Sequence, residues 1–506
     1  MGNAVAQTRI DARGLVVAPG FIDMQGQSEF NVLVDNRAAS KITQGVTSEI
    51  TGEGTSIAPV NDEGVRERLP TYKHYGVDLD WRTLSGYFAH LDRTKSAINI
   101  GTFVGAGGVR SYVIGAEDRP ATPGELGPMR RLVAQAMEDG ALGLSSALQY
   151  VPDRFASTNE IVELAKVAAS YGGVYITHQR SEGNRILESL DEVFTIAGRA
   201  KIPTIIWHLK TAYPANWDKT QEVLRRIERA RTSGLDISAT AYPYARGLNG
   251  LVACLPTWVQ EGGVDKMLAR LADPAQRERI KREMDDPNVS WENQWHGSGG
   301  PDGVMLVSVL NPELRKYEGQ TLAEIGRQLG KDPRDAAMDI VMADHGESSA
   351  VIAIMNEENV RTVIVHPLVS FGSDSGAQAE DGPLAETRAH PRAFGTFPRV
   401  LSKYVREEHS LTLEEAIRKM TSLAANRVGL TDRGIIRSGM VADITIFDPA
   451  RIHDIATYTD PLHYSAGVKH VFVNGRPVVR DGEITGERPG RPLRGPGYRA
   501  KAKPLN

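Results

Sequence analysis

Short apolar runs alternate with amphipathic helical runs between about residues 95 and 245 of this chain. Such alternation is typical of βαβ units and predicts a parallel sheet, either closed as a barrel or doubly wound. Thr122-Pro-Gly-Glu125 has the form of a capping box and predicts the start of one of the helices. The apolar runs 174–178 and 203–208 both end in a histidine. Because parallel barrel strands direct their C-terminal ends to one mouth, His178 and His208 are candidates for a site there.

Later segments extend this pattern and then change it. Segment 235–244 continues the strand series, and the segment that begins at 362–365 leads to another strand end, at Asp374. The stretch from about 255 to 345 is charged and helical, which predicts an insertion that could cover the barrel mouth. From about residue 440 the periodicity is that of strands, with Asn474-Gly475 as a hairpin turn, and it predicts a small β module.

Composition places the protein among ordinary globular proteins and excludes several classes. The 506 residues are 41% hydrophobic and 24% charged, with a formal net charge of -4, so nothing indicates a nucleic-acid partner. The single cysteine, Cys254, excludes an internal disulfide framework. No apolar stretch is long enough to span a bilayer, and the first residues lack an apolar signal core. A cytoplasmic location with no membrane partner is the default expectation.

Several motifs together resemble the D-aminoacylase, or N-acyl-D-amino-acid deacylase, branch of the amidohydrolase superfamily, over nearly the whole chain. Each motif is weak alone, but their order and spacing agree. The matching stretches are Val17-Ala-Pro-Gly-Phe-Ile-Asp23, Gly140-Ala-Leu-Gly-Leu-Ser-Ser146, Thr177-His-Gln-Arg180, His208-Leu-Lys210, Tyr242-Pro-Tyr244, Gly372-Ser-Asp374, His390-Pro-Arg-Ala-Phe-Gly-Thr-Phe-Pro-Arg399 and Gly439-Met-Val-Ala-Asp-Ile444.

The resemblance implies an α/β fold, a distorted (β/α)8 TIM barrel with a small β-sandwich domain formed from the chain ends. The barrel would span 19–435, with the insertion or lid at about 255–345, and the sandwich would combine 1–18 with 436–506. Family members usually begin with several β-strands before the equivalent of Ile10, so part of the sandwich is expected to be absent. Unpaired strand edges would then favour a homo-oligomer or misfolding.

Two departures from the family pattern concern the metal ligands. The family's opening His-x-His is here Gln25-Gly-Gln27, and a neutral amide is a poor zinc ligand compared with imidazole. The family's cysteine ligand aligns with Glu53, whose carboxylate can bind zinc through oxygen. The resemblance therefore implies one zinc ion per chain, held by Glu53, His178 and His208, with a coordination position left open.

The remaining family roles are carried over by position. Asp374 matches the catalytic aspartate, which takes a proton from the activated water, returns it to the leaving nitrogen and can also touch the metal. Arg392 matches a contact to the substrate carboxylate, for which guanidinium is the best partner. Lys210 and Tyr244 match further contacts to that carboxylate, although the tyrosine assignment could shift to Tyr242.

Each of these residues also has a structural interpretation. A lone histidine at a strand end is more often a hydrogen-bonded structural residue than a ligand, and Asp374 between two serines is also typical of a helix cap. The leading hypothesis is a zinc-dependent hydrolase of linear amides in N-acyl-D-amino acids or related small carboxylate-bearing molecules. The alternatives are a hydrolase of a different amide or lactone, and a catalytically inactive barrel that binds an acylated ligand or serves in an assembly.

Overall fold

The computed structural model describes residues 9–499, and its centre is a closed parallel barrel. A six-stranded and a three-stranded parallel sheet form the wall. The strands Asn99–Thr102 and Val104–Gly105 are separated only by Phe103 and count as one, so the barrel has eight strand positions. The predicted α/β barrel class is confirmed. In chain order the barrel strands are Phe21–Asp23, Val46–Thr51, Asn99–Thr102 with Val104–Gly105, Gly143–Ala147, Val174–His178, Thr204–Ile206, Ile237–Ala241 and Val369–Phe371.

Backbone hydrogen bonds close the barrel between its first and last strands. Met24 N donates to Phe371 O at 3.1 Å, and Asp374 N donates to Gln25 O at 2.7 Å. The two sheets are also joined on the other side, where Phe103 N donates to Thr51 O at 3.0 Å. The segment after the last strand is therefore fixed directly against the segment that carries Gln25.

Helices surround the barrel as the amphipathic runs predict. The helix Pro123–Asp139 begins with the capping box of Thr122 and Glu125. Residues 362–365 lie in the helix Glu357–Val365, so their inclusion with the following strand was wrong, because their apolar side chains belong to a helical stripe that packs on the barrel core. The other helices outside the insertion are Asn31–Val34, Ala39–Ile42, Asp62–His74, Leu84–Thr94, Ala106–Val113, Thr158–Ser170, Ile186–Ala200, Thr220–Thr232, Arg392–Arg399 continued as the π-helix Val400–Glu407, Leu413–Met420 and Ser422–Arg427, with 3₁₀ turns at Asp153–Phe155, Pro214–Lys219 and Pro383–Ala385.

Large apolar side chains fill the barrel interior. Trp207 is fully buried, and its indole nitrogen donates to Met24 O at 3.3 Å across the barrel. Because this interior is packed, ligands have access only at the ends of the barrel. The cluster contains Ile22, Met24, Ile50, Phe103, Leu142, Val174, Ile176, Ile205, Trp207, Ala424, Ala425, Val428, Leu430 and Leu493.

An inserted unit lies between the seventh and eighth barrel strands and has its own apolar core. Its antiparallel sheet has the spatial order Arg246–Gly250, Ser349–Ala353, Val304–Ser308, so the unit extends on both sides of the predicted 255–345 stretch. Its helices are Val264–Ala272, Pro274–Asp285, Gln294–Gly297, Leu322–Leu329 and Pro333–Ala343, with 3₁₀ turns at Leu251–Cys254, Thr257–Gln260, Gly300–Gly303 and Pro312–Tyr317.

Both chain ends contribute to a separate five-stranded antiparallel sheet. In spatial order its strands are Val16–Pro19, Ile444–Phe447, Val468–Val473, Arg476–Arg480 and Glu483–Ile484. Asn474 and Gly475 form the predicted hairpin turn, both with positive φ. Among residues 9–499, no helix is long and apolar enough to cross a membrane.

Candidate metal and active site

Three side chains from separate barrel strands bring their donor atoms together at the C-terminal mouth. Glu53, His178 and His208 each offer one ligand atom, and these atoms all lie within 4.8 Å of one another. Glu53 Oε1 is 3.1 Å from His178 Nδ1 and 3.5 Å from His208 Nε2. Three of the four residues that sequence reasoning assigned as metal ligands therefore form one cluster, and Asp374 is not part of it.

Unusual backbone conformations direct two of the site residues. His208 has a φ of 34° and Asp374 a φ of 51°, in the left-handed region that non-glycine residues rarely adopt. Such conformations cost about 1–3 kcal/mol each and persist only where the surroundings enforce them. The bond from His208 N to Thr240 Oγ1 at 2.8 Å holds the first, and the bond from Asp374 N to Gln25 O holds the second.

The protonation states of the cluster suit a divalent cation. Burial opposes ionisation of Glu53, yet its bonds to the two histidines hold the pKa of this carboxyl well below its ordinary value, while burial lowers the pKa of His178. Burial and Lys210 oppose protonation of His208, but Glu182 and Asp374 raise its pKa to about 9. A cation at Nε2 of His208 would take the place of that proton. Two imidazoles and one carboxylate form a donor set that fits zinc.

Glu182, which sequence reasoning missed, links the second histidine to the lysine. Its Oε1 lies 2.9 Å from His208 Nδ1 and 2.7 Å from Lys210 Nζ, and its Oε2 lies 2.9 Å from the same Nζ. A carboxylate behind a ligating imidazole fixes the ring orientation and the tautomer. The sequence feature that could have indicated Glu182 is its position four residues after His178, close to the end of that strand.

The first histidine also has an amide partner and an aromatic neighbour that were not predicted. His178 Nε2 is 3.0 Å from Gln149 Oε1, which leaves Nδ1 on the side of Glu53. The Tyr150 ring packs edge-on against His178 with ring centres 4.7 Å apart, and its hydroxyl donates to Asn249 Oδ1 at 2.6 Å. Asn249 belongs to the inserted unit, so the insertion contacts the shell around the cluster.

The two glutamines at the altered ligand positions join the carboxylates of the site. Gln25 Nε2 donates to Glu53 Oε2 at 3.2 Å and to Asp374 Oδ1 at 3.1 Å. Gln27 Nε2 donates to the same two oxygens at 2.9 and 3.2 Å. Thr240 Oγ1 donates to Gln25 Oε1 at 3.2 Å, which fixes the orientation of that amide. Sequence reasoning placed both side chains in the site, and the structure finds them there.

Asp374 stands beside the cluster and is not one of the three side chains that converge. Its Oδ1 accepts from the glutamine amides, and its Oδ2 lies 2.9 Å from Arg392 Nη1. Burial raises the pKa of Asp374, although Arg392 and His208 oppose this shift. A carboxylate with a raised pKa at the mouth can accept and release a proton.

Arg392 is buried at the mouth and is not saturated with hydrogen bonds. The angle of its contact with Asp374 leaves Nη1 and Nε without a hydrogen-bond acceptor among the described residues. The guanidinium carbon lies 4.7 Å from the centre of the Tyr242 ring, which holds the group flat against the wall. The Nε and Nη1 donors are buried, and no described residue accepts from them.

The structure separates the two candidate tyrosines. Tyr242 lines the cavity, whereas the hydroxyl of Tyr244 is 3.5 Å from Pro391 O and 3.5 Å from Asp454 Oδ2. The Tyr244 ring packs edge-on against His390, 5.5 Å away. Of the two assignments that the sequence allowed, Tyr242 is the one adjacent to the other site residues.

A cavity of about 550 Å³ opens over the cluster. Every site residue predicted from the sequence lines it except Gln25 and Tyr244. The barrel and the inserted unit both form its wall. The lining residues are Gln27, Asn31, Glu53, Thr55, Ala147, Tyr150, Val151, His178, Glu182, His208, Lys210, Tyr242, Gly247, Leu248, Asn249, Gly250, Val252, Ala253, Gln260, Ser349, Ile354, Asp374, Ser375, Gly376, Gln378 and Arg392.

A buried ion-pair network, also missed from the sequence, lies beneath the mouth. Lys41 is fully buried, and its Nζ lies 2.7 Å from Asp23 Oδ2 and 3.6 Å from Glu49 Oε2. The same Nζ donates to Ser373 Oγ and Ser375 O, each at 2.7 Å, on either side of the catalytic candidate. The network therefore supports the backbone conformation of the segment that carries Asp374.

Comparison with known proteins agrees with this geometry. The model of the Amidohydrolase family matches residues 8–479. Three proteins of Alcaligenes xylosoxydans xylosoxydans are similar along most of their length. D-aminoacylase is 33% identical over 97% of this chain and 90% of its own, N-acyl-D-glutamate deacylase 33% over 97% and 89%, and N-acyl-D-aspartate deacylase 32% over 96% and 86%.

Solved structures give the same result. N-acyl-D-glutamate deacylase from Bordetella bronchiseptica, in complex with zinc and a phosphonate mimic of the tetrahedral intermediate, superposes with a TM-score of 0.79 at 29% identity and covers 96% of this chain and 90% of that one. A D-aminoacylase structure, described for one-metal activation and second-metal attenuation of a binuclear centre, has a TM-score of 0.78 at 30% identity, with 97% and 92% covered. The chain belongs to the amidohydrolase family, in the branch of the D-aminoacylases and N-acyl-D-amino-acid deacylases.

Proposed function

We propose that this chain is a one-zinc hydrolase of the linear amide bond in N-acyl-D-amino acids. The observation that carries the proposal is the convergence of Glu53, His178 and His208 at a mouth that also holds Asp374 and Arg392. Family membership makes the chain a metal-dependent amidohydrolase, and its relatives bear the names of deacylases of N-acyl-D-amino acids. We assign the same substrate class to this chain because its cavity contains Arg392, which can bind the carboxylate of an N-acyl amino acid.

Zinc in this donor set would supply Lewis acidity toward the acyl carbonyl and lower the pKa of a water. Asp374 accepts the proton of the attacking water, since its carboxylate faces the cavity and its pKa is raised by burial. It then returns that proton to the leaving nitrogen, which departs as a neutral amine. The segment held by Lys41 keeps the carboxylate at a fixed position through both transfers.

Arg392 binds the carboxylate of the substrate. Its guanidinium lies in the cavity wall, packs on Tyr242 and is ion-paired with Asp374, while its Nε and Nη1 have no hydrogen-bond acceptor among the described residues. A planar guanidinium pairs with a carboxylate through two parallel bonds and so fixes the orientation of the substrate. This contact places the amide of an N-acyl amino acid at a defined distance from the reacting groups.

The glutamine pair supports a single metal. The related D-aminoacylase has a binuclear centre in which one metal activates and the second attenuates. Here Gln25 and Gln27 direct N–H groups at both Glu53 Oε2 and Asp374 Oδ1. Amide donors already satisfy the oxygens between which a second cation would lie, and an amide group is a weak zinc ligand.

Elemental analysis of protein purified without chelator tests the metal, with Glu53→Ala as the matched variant. We expect about one zinc per chain, lost in the variant.

Release of free amino acid from N-acetyl-D-amino acids tests the activity. Asp374→Asn should keep the metal and lose turnover, whereas His208→Ala should lose both. Wild-type protein that holds no metal and hydrolyses no amide would refute the proposal in favour of an inactive ligand-binding barrel. One zinc with lactone or other amide hydrolysis alone would instead identify a different hydrolase.

A further inference from the structure

We infer that the enzyme acts on N-acyl-D-amino acids with neutral side chains and discriminates against the acidic substrates for which two of its relatives are named. The inference rests on the proposed function and identifies the substrate class of the same cavity. It follows from the number of cationic groups that line this cavity and from the partners that each of them already has. D-aminoacylase and the N-acyl-D-glutamate and N-acyl-D-aspartate deacylases are almost equally similar to this chain, so overall identity does not separate these classes.

An acidic substrate brings two carboxylates into the cavity, one from the amino-acid backbone and one from the side chain. Each needs a cationic partner, because an unpaired buried charge is costly. Lys210 and Arg392 are the only lysine and arginine side chains that line the cavity in the described part of the chain. Apart from the zinc ion and the His208 ring that would bind it, two side-chain cations are therefore the most that an acidic substrate could use.

Lys210 is already neutralised. Its ammonium group contacts Glu182 Oε1 at 2.7 Å, Glu182 Oε2 at 2.9 Å and His208 Nδ1 at 2.7 Å. An ammonium group has three donors, and the two carboxylate oxygens of Glu182 accept two of them. A ligand carboxylate would therefore meet an ammonium group whose charge Glu182 already balances.

Arg392 is ion-paired through Nη1 with Asp374 Oδ2 at 2.9 Å, but a guanidinium has five donors, so Arg392 can still accommodate one ligand carboxylate. The carboxylate that all N-acyl amino acids share would use the donors of Arg392, so none would remain for a second carboxylate. A second carboxylate would enter a cavity that already contains those of Glu53, Glu182 and Asp374. Like-charge contacts of this kind are a recognised means of rejecting a wrong ligand.

The rest of the wall favours an apolar or amide side chain. Val151, Leu248, Val252, Ala253 and Ile354 give the cavity an apolar surface, and all except Val151 belong to the inserted unit or its border. The uncharged polar side chains on the same wall include Gln260 and Ser349. These groups can bury methylenes or bond a neutral amide, and neither kind supplies a positive charge.

The test compares N-acetyl-D-glutamine with N-acetyl-D-glutamate, which are nearly identical in shape and differ in charge, with N-acetyl-D-leucine and N-acetyl-D-aspartate as further members of each class. On zinc-loaded wild-type enzyme we expect kcat/KM for glutamine and leucine to exceed that for glutamate and aspartate by at least about tenfold. Equal or faster hydrolysis of the acidic pair would overturn the inference and leave the deacylase function intact. Hydrolysis of no member would overturn both.

A variant pair tests charge as the cause. Val252→Arg adds a cation to the cavity wall, and Val252→Gln adds a neutral chain of similar polarity at the same position. We expect Val252→Arg to raise the glutamate-to-glutamine ratio of kcat/KM by at least about tenfold, and Val252→Gln to leave it within about threefold of wild type. Circular dichroism spectra should confirm that both variants are folded. An unchanged ratio in folded Val252→Arg would count against charge as the basis of selection.

Discussion

Gln25 Nε2 lies 3.2 Å from Glu53 Oε2 and 3.1 Å from Asp374 Oδ1, so a single amide group bridges the two carboxylates of the site. Gln27 repeats the same bridge from the other side of Gly26. Two carboxylates this close repel each other, and the amide donors offset the repulsion without adding net charge. The N–H donors of both glutamines thus bond the oxygens between which a second cation would lie, which is why we propose a single metal.

Restoring imidazoles at this bridge should create a second metal position. We expect the double substitution Gln25→His with Gln27→His to raise the zinc content from about one to about two per chain, because imidazole nitrogen is a far better zinc ligand than an amide. Elemental analysis and a calorimetric zinc titration measure the content and the affinities. Gln25→Asn with Gln27→Asn is the matched control and should stay near one. Two tightly bound zinc ions in the wild type would show that the glutamines do not exclude the second metal.

The carboxylate of Glu182 should control zinc affinity through His208. Removing its charge with Glu182→Gln leaves the His208 ring less firmly oriented and Lys210 without its counter-ion, so we expect zinc binding to weaken by about 10–100-fold. Competition with a chromophoric chelator measures the affinity. Glu188→Gln, at an exposed acid a short distance along the chain, is the control and should bind zinc as the wild type does. Unchanged affinity in Glu182→Gln would mean that the ring is oriented without this carboxylate.

Sequence periodicity identified the residues that strand geometry places at the mouth, such as His178 and His208. The family resemblance assigned Tyr244 and left Tyr242 as the alternative, because both follow the same strand by a few residues and only packing decides that the Tyr242 ring faces the cavity. Glu182 was missed because it lies in a loop, where a spacing of four residues after His178 does not by itself distinguish a functional acid from a surface one.

Long-range pairing was beyond sequence reasoning for a different reason. The strand Arg246–Gly250 pairs with Ser349–Ala353, and the residues between them give no local indication of that contact. The ion pairs of Lys41 could not be predicted for the same reason, because Asp23 and Glu49, which neutralise it, lie on two barrel strands outside its own helix. A charged residue in a short helix indicates a surface position until the tertiary fold supplies a counter-ion.

Loss of the buried cation Lys41 should destabilise the protein strongly. In Lys41→Met the carboxylates of Asp23 and Glu49 remain buried without their partner, and breaking such a pair costs about 3–5 kcal/mol. We expect a lower urea midpoint by fluorescence. The double variant Lys41→Met with Asp23→Asn removes one orphaned charge and should recover part of the loss. Equal midpoints for wild type and Lys41→Met would show that the network contributes nothing to stability.

Buried His390 makes two hydrogen bonds, and the one that it accepts requires a neutral ring. Its Nδ1 accepts from Arg392 N at 3.0 Å, and its Nε2 donates to Arg246 O at 2.9 Å. Burial first, and then the nearby Arg392 charge, hold the pKa of His390 well below its ordinary value. The unfolded chain therefore binds this proton more readily than the folded chain does. The contribution to stability is present above about pH 6.5 and is lost as the pH falls from there toward the folded-state pKa.

The substitution His390→Gln removes this acid sensitivity together with the ring. Between pH 7.5 and 5.5 we expect the free energy of unfolding to fall by about 1.4 kcal/mol more in the wild type than in the variant, because the unfolded chain takes up one proton that the folded chain does not. Urea unfolding at both pH values measures the difference. The same replacement at exposed His463 gives the baseline for loss of a histidine. If wild type and His390→Gln lose stability equally, protonation of His390 does not limit the acid stability of the fold, because the variant has no imidazole to titrate.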